Sequence, residues 1–101
     1  MEPARMTAAT PATEIIKRVL AFYGDGSTWA QGLPRDFQGR VCLMTAIDMC
    51  AGNDRDRRAV HRLLAKRLPS RAWSLASYND HAGSFEDIRS LLLASAKAGG
   101  R

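Results

Sequence analysis

The sequence predicts an all-α fold: a single-domain bundle of about four helices with a long loop between helices 1 and 2. Two observations carry this. Apolar residues recur at helical spacing in three segments bracketed by caps and breakers. A fourth segment, residues 41–52, VCLMTAIDMCAG, is apolar on nearly every face, with Asp48 as its one charge. A helix of that kind is covered on several sides, so the rest of the chain is expected to pack onto it.

The elements follow in chain order. Residues 1–9 are small and polar and read as a disordered leader; a single helical domain then spans residues 10–98. Thr10 is the expected N-cap of the first helix, Pro11 its first residue, and Glu14 lies in its first turn. Ile15, Ile16, Val19, Leu20 and Tyr23 form its inner stripe, and Gly24 stops it. Residues 24–40 hold no sustained period and are long for a connection in a chain of 101 residues. Trp29, Leu33 and Phe37 are expected to fold this loop back over the core.

After the 41–52 helix, Asn53 or Asp54 caps a third helix running to about Leu68, with Val60, Leu63 and Leu64 inward and Pro69 as its stop. Residues 71–78, RAWSLASY, read equally as a short extended piece or a turn of helix. Asn79-Asp80 and the residues to Gly83 read as a turn. Ser84 caps the last helix, with Asp87 at the capping-box position. Ile88, Leu91 and Leu92 face inward.

Composition narrows the function classes. Hydrophobic residues at 46% and charged residues at 25% are ordinary for a folded domain. No apolar run approaches the ~18–20 residues that span a bilayer, and the N-terminus lacks a secretory h-region, so a cytoplasmic protein with no membrane partner is expected. Cys42 and Cys50 lie roughly 12 Å apart along one helix, too far for a disulfide, and read as reduced thiols.

The net charge is +5 and the pI 9.9. Residues 54–71 carry seven Arg/Lys against two Asp, while the rest of the chain carries eight of each sign. One segment therefore supplies the whole net charge. Within it Arg58, Arg62 and Lys66 recur every four residues and share one outer helix face, with Arg57, His61 and Arg67 beside them. This face is the candidate site for an anionic partner: nucleic acid, a nucleotide or an acidic host protein. In outline the 41–52 helix, a tight break and the arginine-rich helix resemble a helix-turn-helix, although Asp54 and Asp56 sit where such a reader helix meets DNA. The plainer reading is a solvated face.

Other chemistry is thin. A second candidate, Trp29, Gln31, Tyr78, Asn79 and Asp80, reads either as an aromatic pocket with a polar rim or as a structural lock. Cys42 near a helix N-terminus, with His61 or His81 as base, sketches a thiol enzyme, against the simpler reading of a buried thiol. No motif for a metal or any other cofactor is present, and no phosphate loop. Asp48 is an anomaly in so apolar a helix: it is buried and paired with an arginine, faces the Trp29 loop or reaches solvent, with pairing to an arginine as the favoured reading. A homo-oligomer is a further expectation for so small a core.

Three segments together resemble a small domain-of-unknown-function family of actinobacteria and phages. They are Trp29-Ala30-Gln31-Gly32, then Gly39-Arg40-Val41-Cys42 leading into a small-residue helix, then Leu75 to Asp80 before a Ser-capped helix. Members carry W-x-x-G, a Cys-containing helix and a terminal W-N-D. Tyr78 stands here where the family usually has Trp, and Thr45 where Gly is common. The resemblance implies a compact helical protein, often phage-borne, with no established chemistry. The basic segment lies in the family's variable region. The functional expectation is a small non-catalytic binding protein, a phage-type accessory or host-interaction factor.

Overall fold

The computed structural model describes residues 10–69 and 74–99. Five helices make up this part of the chain: α1 Ala12–Tyr23, α2 Leu43–Ala51, α3 Asp54–Ala65, α4 Leu75–His81 and α5 Phe85–Gly99. The all-α class is as expected, and the helix count is one higher. The extra element is α4, where Ser74 caps the helix by accepting from the Ser77 N–H at 3.1 Å. Asn79 and Asp80 are thus helical residues, and the turn lies at 82–84. The leader 1–9 and Trp73 lie outside the described residues.

α1 is the element on which the bundle is built. Ile15, Ile16, Val19 and Tyr23 are essentially inaccessible, and the helix packs against α5, α2 and α3. Complete burial of each of the three aliphatic side chains, Ile15, Ile16 and Val19, is worth about 2–3 kcal/mol. Its N-cap is Pro11 rather than Thr10: the Pro11 carbonyl accepts from Glu14 and Ile15, while the Thr10 N–H donates to Asp56 on α3 at 3.4 Å. Gly24, with φ 54°, closes the helix by donating to the Leu20 carbonyl at 2.9 Å.

The Cys-containing helix is shorter and less enclosed than its composition predicts. Val41 belongs to the loop, bridged to Trp29 and Arg35, so α2 begins at Leu43. Leu43, Ala46, Ile47 and Ala51 face the core, but Asp48 and Met49 face solvent. One turn fewer gives α2 a single buried stripe. Asp48 accordingly reaches solvent, one of the alternatives expected for it, and meets an arginine, Arg57, at 3.6 Å.

α3 is capped by Asn53, whose side-chain oxygen accepts from the Asp56 N–H at 2.8 Å. It ends at Ala65, and two looser turns carry the chain through Leu68. At the start of α5 the Asp87 carboxylate accepts from the Gly83 N–H at 2.9 Å, one residue before the expected cap partner. Ile88, Leu91 and Leu92 are buried as expected.

The loop between α1 and α2 is pinned by backbone bonds: Ala30 to Val41 at 3.0 Å, Val41 to Thr28 at 2.7 Å and Cys42 to Pro34 at 3.1 Å. Of its three large apolar residues only Trp29 packs on the core, in ring contact with Phe85. Leu33 is 56% exposed and Phe37 wholly exposed. Backbone bonds hold this loop in place, so those two side chains are not needed as anchors.

Candidate functional site

Two constellations were expected, and the structure treats them differently. Trp29, Gln31, Tyr78, Asn79 and Asp80 gather where the long loop meets α4. The centre is Asn79, 1% exposed. Its side-chain oxygen accepts from Trp29 Nε1 at 2.7 Å and from the Leu43 N–H at 3.1 Å. Its amide nitrogen donates to the Ala30 carbonyl at 3.1 Å and to Asp80 Oδ1 at 3.2 Å. Two acceptor sites and two donors exhaust what an asparagine offers.

The surrounding groups are spent in the same way. Gln31 Nε2 donates to the carbonyls of Asn79 and Ala82, each at 2.9 Å. Asp80 Oδ1 accepts from the Gly32 N–H at 2.9 Å. That backbone bond first, then the Asn79 amide, holds the Asp80 carboxyl below the usual carboxylate range. The Tyr78 hydroxyl donates to the Asp87 carbonyl at 3.3 Å. Leu43 is the first residue of α2, and its N–H is one of the donors a helix start leaves unpaired. Cys42, the N-cap, makes no side-chain cap bond, so Asn79 caps α2 from 36 residues away. The arrangement is a clasp joining the loop, α2 and α4.

The basic helix divides into two halves. In its first two turns Arg57 and Arg58 both pair with Asp54, and Arg57 also faces Asp48. His61 is half-buried, and its Nε2 has no hydrogen-bond partner among the described residues. Burial chiefly, and then the Arg57 charge, lowers the imidazole pKa, with Asp48 opposing. Further along, Arg62, Lys66 and Arg67 are exposed and make no ion pair among the described residues. The six cationic positions expected on this element are therefore two screened arginines, one half-buried imidazole and three open cations.

An open hollow of about 190 Å³ lies between α2 and α3, lined by Asp48, Gly52, Asn53, Asp54 and Arg57. Nothing in the sequence marks it, because its walls come from the ends of two helices whose crossing is set by the core. Asp56 was also missed as a buried residue. It is 2% exposed and accepts from Asn53 Nδ2 at 3.0 Å.

Cys42 and Cys50 are both free thiols. The Cys42 Sγ lies 3.5 Å from the Thr45 hydroxyl. Burial pushes the Cys50 thiol up, with Arg18 opposing. His81 meets the Ser77 carbonyl through Nδ1 at 2.9 Å. Among the described residues no three His, Cys, Asp or Glu side chains group as a metal site, and no helix is long and apolar enough to cross a membrane.

Neither the curated proteins nor the solved structures give a match to this chain. A family model does, over residues 7–98, which takes in all five helices but for the last residue of α5, and the whole clasp. The chain belongs to DUF6197, a family of unknown function.

Proposed function

We propose that this is a non-catalytic binding protein that contacts the phosphate backbone of a nucleic acid through the C-terminal end of α3 and the turn that follows it. One observation carries the reading: charge is segregated along that helix. Asp54 and Asp48 screen Arg57 and Arg58, whereas Arg62, Lys66 and Arg67 stand open. A polyanion is drawn to uncompensated cations and repelled by the carboxylates at the helix start. Contact is therefore placed at the end of α3, not at the N-terminal end that a helix-turn-helix reader uses. A nucleotide or an acidic protein face is the lesser ligand of the same three cations. An accessory role of the phage-borne kind, in the cytoplasm, is consistent with the motif resemblance and two free thiols.

The test is fluorescence anisotropy with labelled single- and double-stranded DNA across a salt series. Binding is expected to weaken steeply with salt. An Arg62/Lys66/Arg67→Ala variant is expected to flatten the log–log slope by roughly 2–3 units, at about 0.7–0.9 per lost phosphate contact. Arg58→Ala is expected to change it little. Absence of binding at low salt rejects the proposal. A thiol enzyme centred on Cys42 is the competing class; Cys42→Ser leaves binding unchanged if the present reading holds.

A further inference from the structure

The α1–α2 loop carries a feature that the anion-binding proposal does not use. Its tip, residues 36–40, is a rigid turn built on one carboxylate. Asp36 Oδ1 accepts from the N–H groups of Gln38 and Arg40, each at 2.9 Å, and Oδ2 pairs with the Arg40 guanidinium. The Asp36 N–H donates to the Arg40 carbonyl at 2.9 Å, and the Gly39 N–H returns to the Asp36 carbonyl at 3.1 Å. On this turn Phe37 stands at 109% relative exposure and is not among the residues packed on the core. A phenyl ring held out on a pre-ordered turn has already met most of the ordering cost of binding.

The surroundings say what it meets. Arg35, next to the turn, reaches the Met49 sulfur on α2 at 3.9 Å. Leu33, Phe37 and Met49 are three of the four exposed large hydrophobic residues among those described, and Arg35 ties the loop that bears two of them to α2, which bears the third. Asp48, beside Met49, is a wall of the hollow between α2 and α3. The loop bearing Phe37 and the recess thus both adjoin the C-terminal half of α2, the flank they have in common. The least compensated charges are opposite: on the loop Arg40 is paired with Asp36, leaving Arg35, and at the hollow Asp54 is paired with Arg57 and Arg58, leaving Asp48, 3.6 Å from Arg57. Arg58 also reaches Asp54 but is not one of the hollow's walls.

We infer that this flank is a two-fold contact between copies of the chain, in which Phe37 of each protomer enters the α2–α3 hollow of the other. A two-fold interface pairs each patch with itself, so it requires a surface whose two halves complement one another. Here an aromatic half bearing Arg35, which makes no ion pair among the described residues, faces a recess bearing Asp48, held to Arg57 only at 3.6 Å. Arg35 meets Asp48 and Asp54 of the partner, and the Phe37 ring lies against the partner's Arg57 guanidinium, a favourable cation–π pair. Gly52 leaves room at the recess, since no atom lies within 4 Å of where its side chain would begin. A polyanion is a poor occupant, because its phosphates would meet Asp36, Asp48 and Asp54.

Sedimentation equilibrium of the full chain tests this directly. The wild type is expected to show a reversible monomer–dimer equilibrium with a Kd between about 10 μM and 1 mM, the range of a small interface. Phe37→Ser removes a wholly exposed side chain, so its fold stays intact by circular dichroism while Kd rises at least ~10-fold. Arg35→Glu is expected to weaken the dimer similarly, and Arg35→Glu/Asp48→Arg to restore part of the loss. A wild type that stays monomeric at ~1 mM overturns the inference, whatever else Phe37 binds. So does a dimer that Phe37→Ser leaves unchanged.

Discussion

Trp29 and Asn79, fifty residues apart, are joined by a 2.7 Å hydrogen bond from the indole nitrogen to the amide oxygen. The same oxygen accepts the first N–H of α2, so one side chain anchors the loop and starts a helix. Asn79→Ala would strand the Leu43 N–H, the Trp29 Nε1–H and the Ala30 carbonyl together. With each stranded buried group costing about 1–3 kcal/mol, the variant is expected to lose roughly 3–5 kcal/mol. Urea unfolding followed by circular dichroism measures it; a loss below about 1 kcal/mol would show that water replaces the clasp.

Gly26 is expected to be intolerant of any side chain. Its φ is +95°, and a Cβ there would sit 2.6 Å from the Phe85 ring. Phe85 cannot yield freely, because its ring also meets Tyr23 and Trp29. Gly26→Ala is expected to cost about 2 kcal/mol or more, from strain and overpacking together. Gly32→Ala shares the positive φ of +81° but opens onto empty space. It should cost only the backbone share, about 1 kcal/mol. Equal thermal shifts for the two variants would contradict the packing argument.

His61 gives a pH dependence of definite sign. Its folded-state pKa lies below the ordinary 6.5 because burial and Arg57 disfavour the cation. The stability tied to the neutral ring is therefore fully present above pH ~6.5 and is lost as pH falls through the lower folded value. His61→Gln is expected to flatten the fall in melting temperature below pH 6.5. An NMR titration placing the His61 ring pKa at or above 6.5 would refute this.

Asp80 acts at lower pH with the same sign. The Gly32 N–H bond lowers its folded pKa, so its contribution is present above the usual carboxylate value of 3.8 and lost as pH drops through the depressed one. Asp80→Asn is expected to shift the acid-unfolding midpoint toward less steep loss below pH ~4. An unchanged acid limb would mean that the Gly32 contact is not kept in solution.

Much of the bundle was legible because its signals are local. The Ile15–Ile16–Val19–Tyr23 stripe, a cap at Asn53 or Asp54 and the inner face of Ile88, Leu91 and Leu92 each follow from spacing within a few residues. α4 was not legible. Asn and Asp favour turns when only their neighbours are known, and Asn79 and Asp80 are helical here because their side chains bond to a loop some fifty residues earlier. The basic face was visible as a repeat of four; its division rests on Asp54 pairing within α3, reinforced at Arg57 by Asp48 reaching across from α2, which spacing along one helix does not show. Phe37 defied the default that large apolar residues turn inward. Only the bonding of the turn beneath it shows that it points away.

The pairing of α1 with α5 joins the first described helix to the last. During synthesis, Ile15, Ile16 and Val19 therefore wait without their main apolar partner until Ile88 and Leu92 have left the ribosome. Chains emerge at roughly 5–20 residues per second, so that interval lasts several seconds. Local helices form far faster than that, but contacts of such long sequence separation come late in folding. The bundle thus cannot close until α5 is available, and fragments ending before Phe85 are expected to be sticky and protease-sensitive.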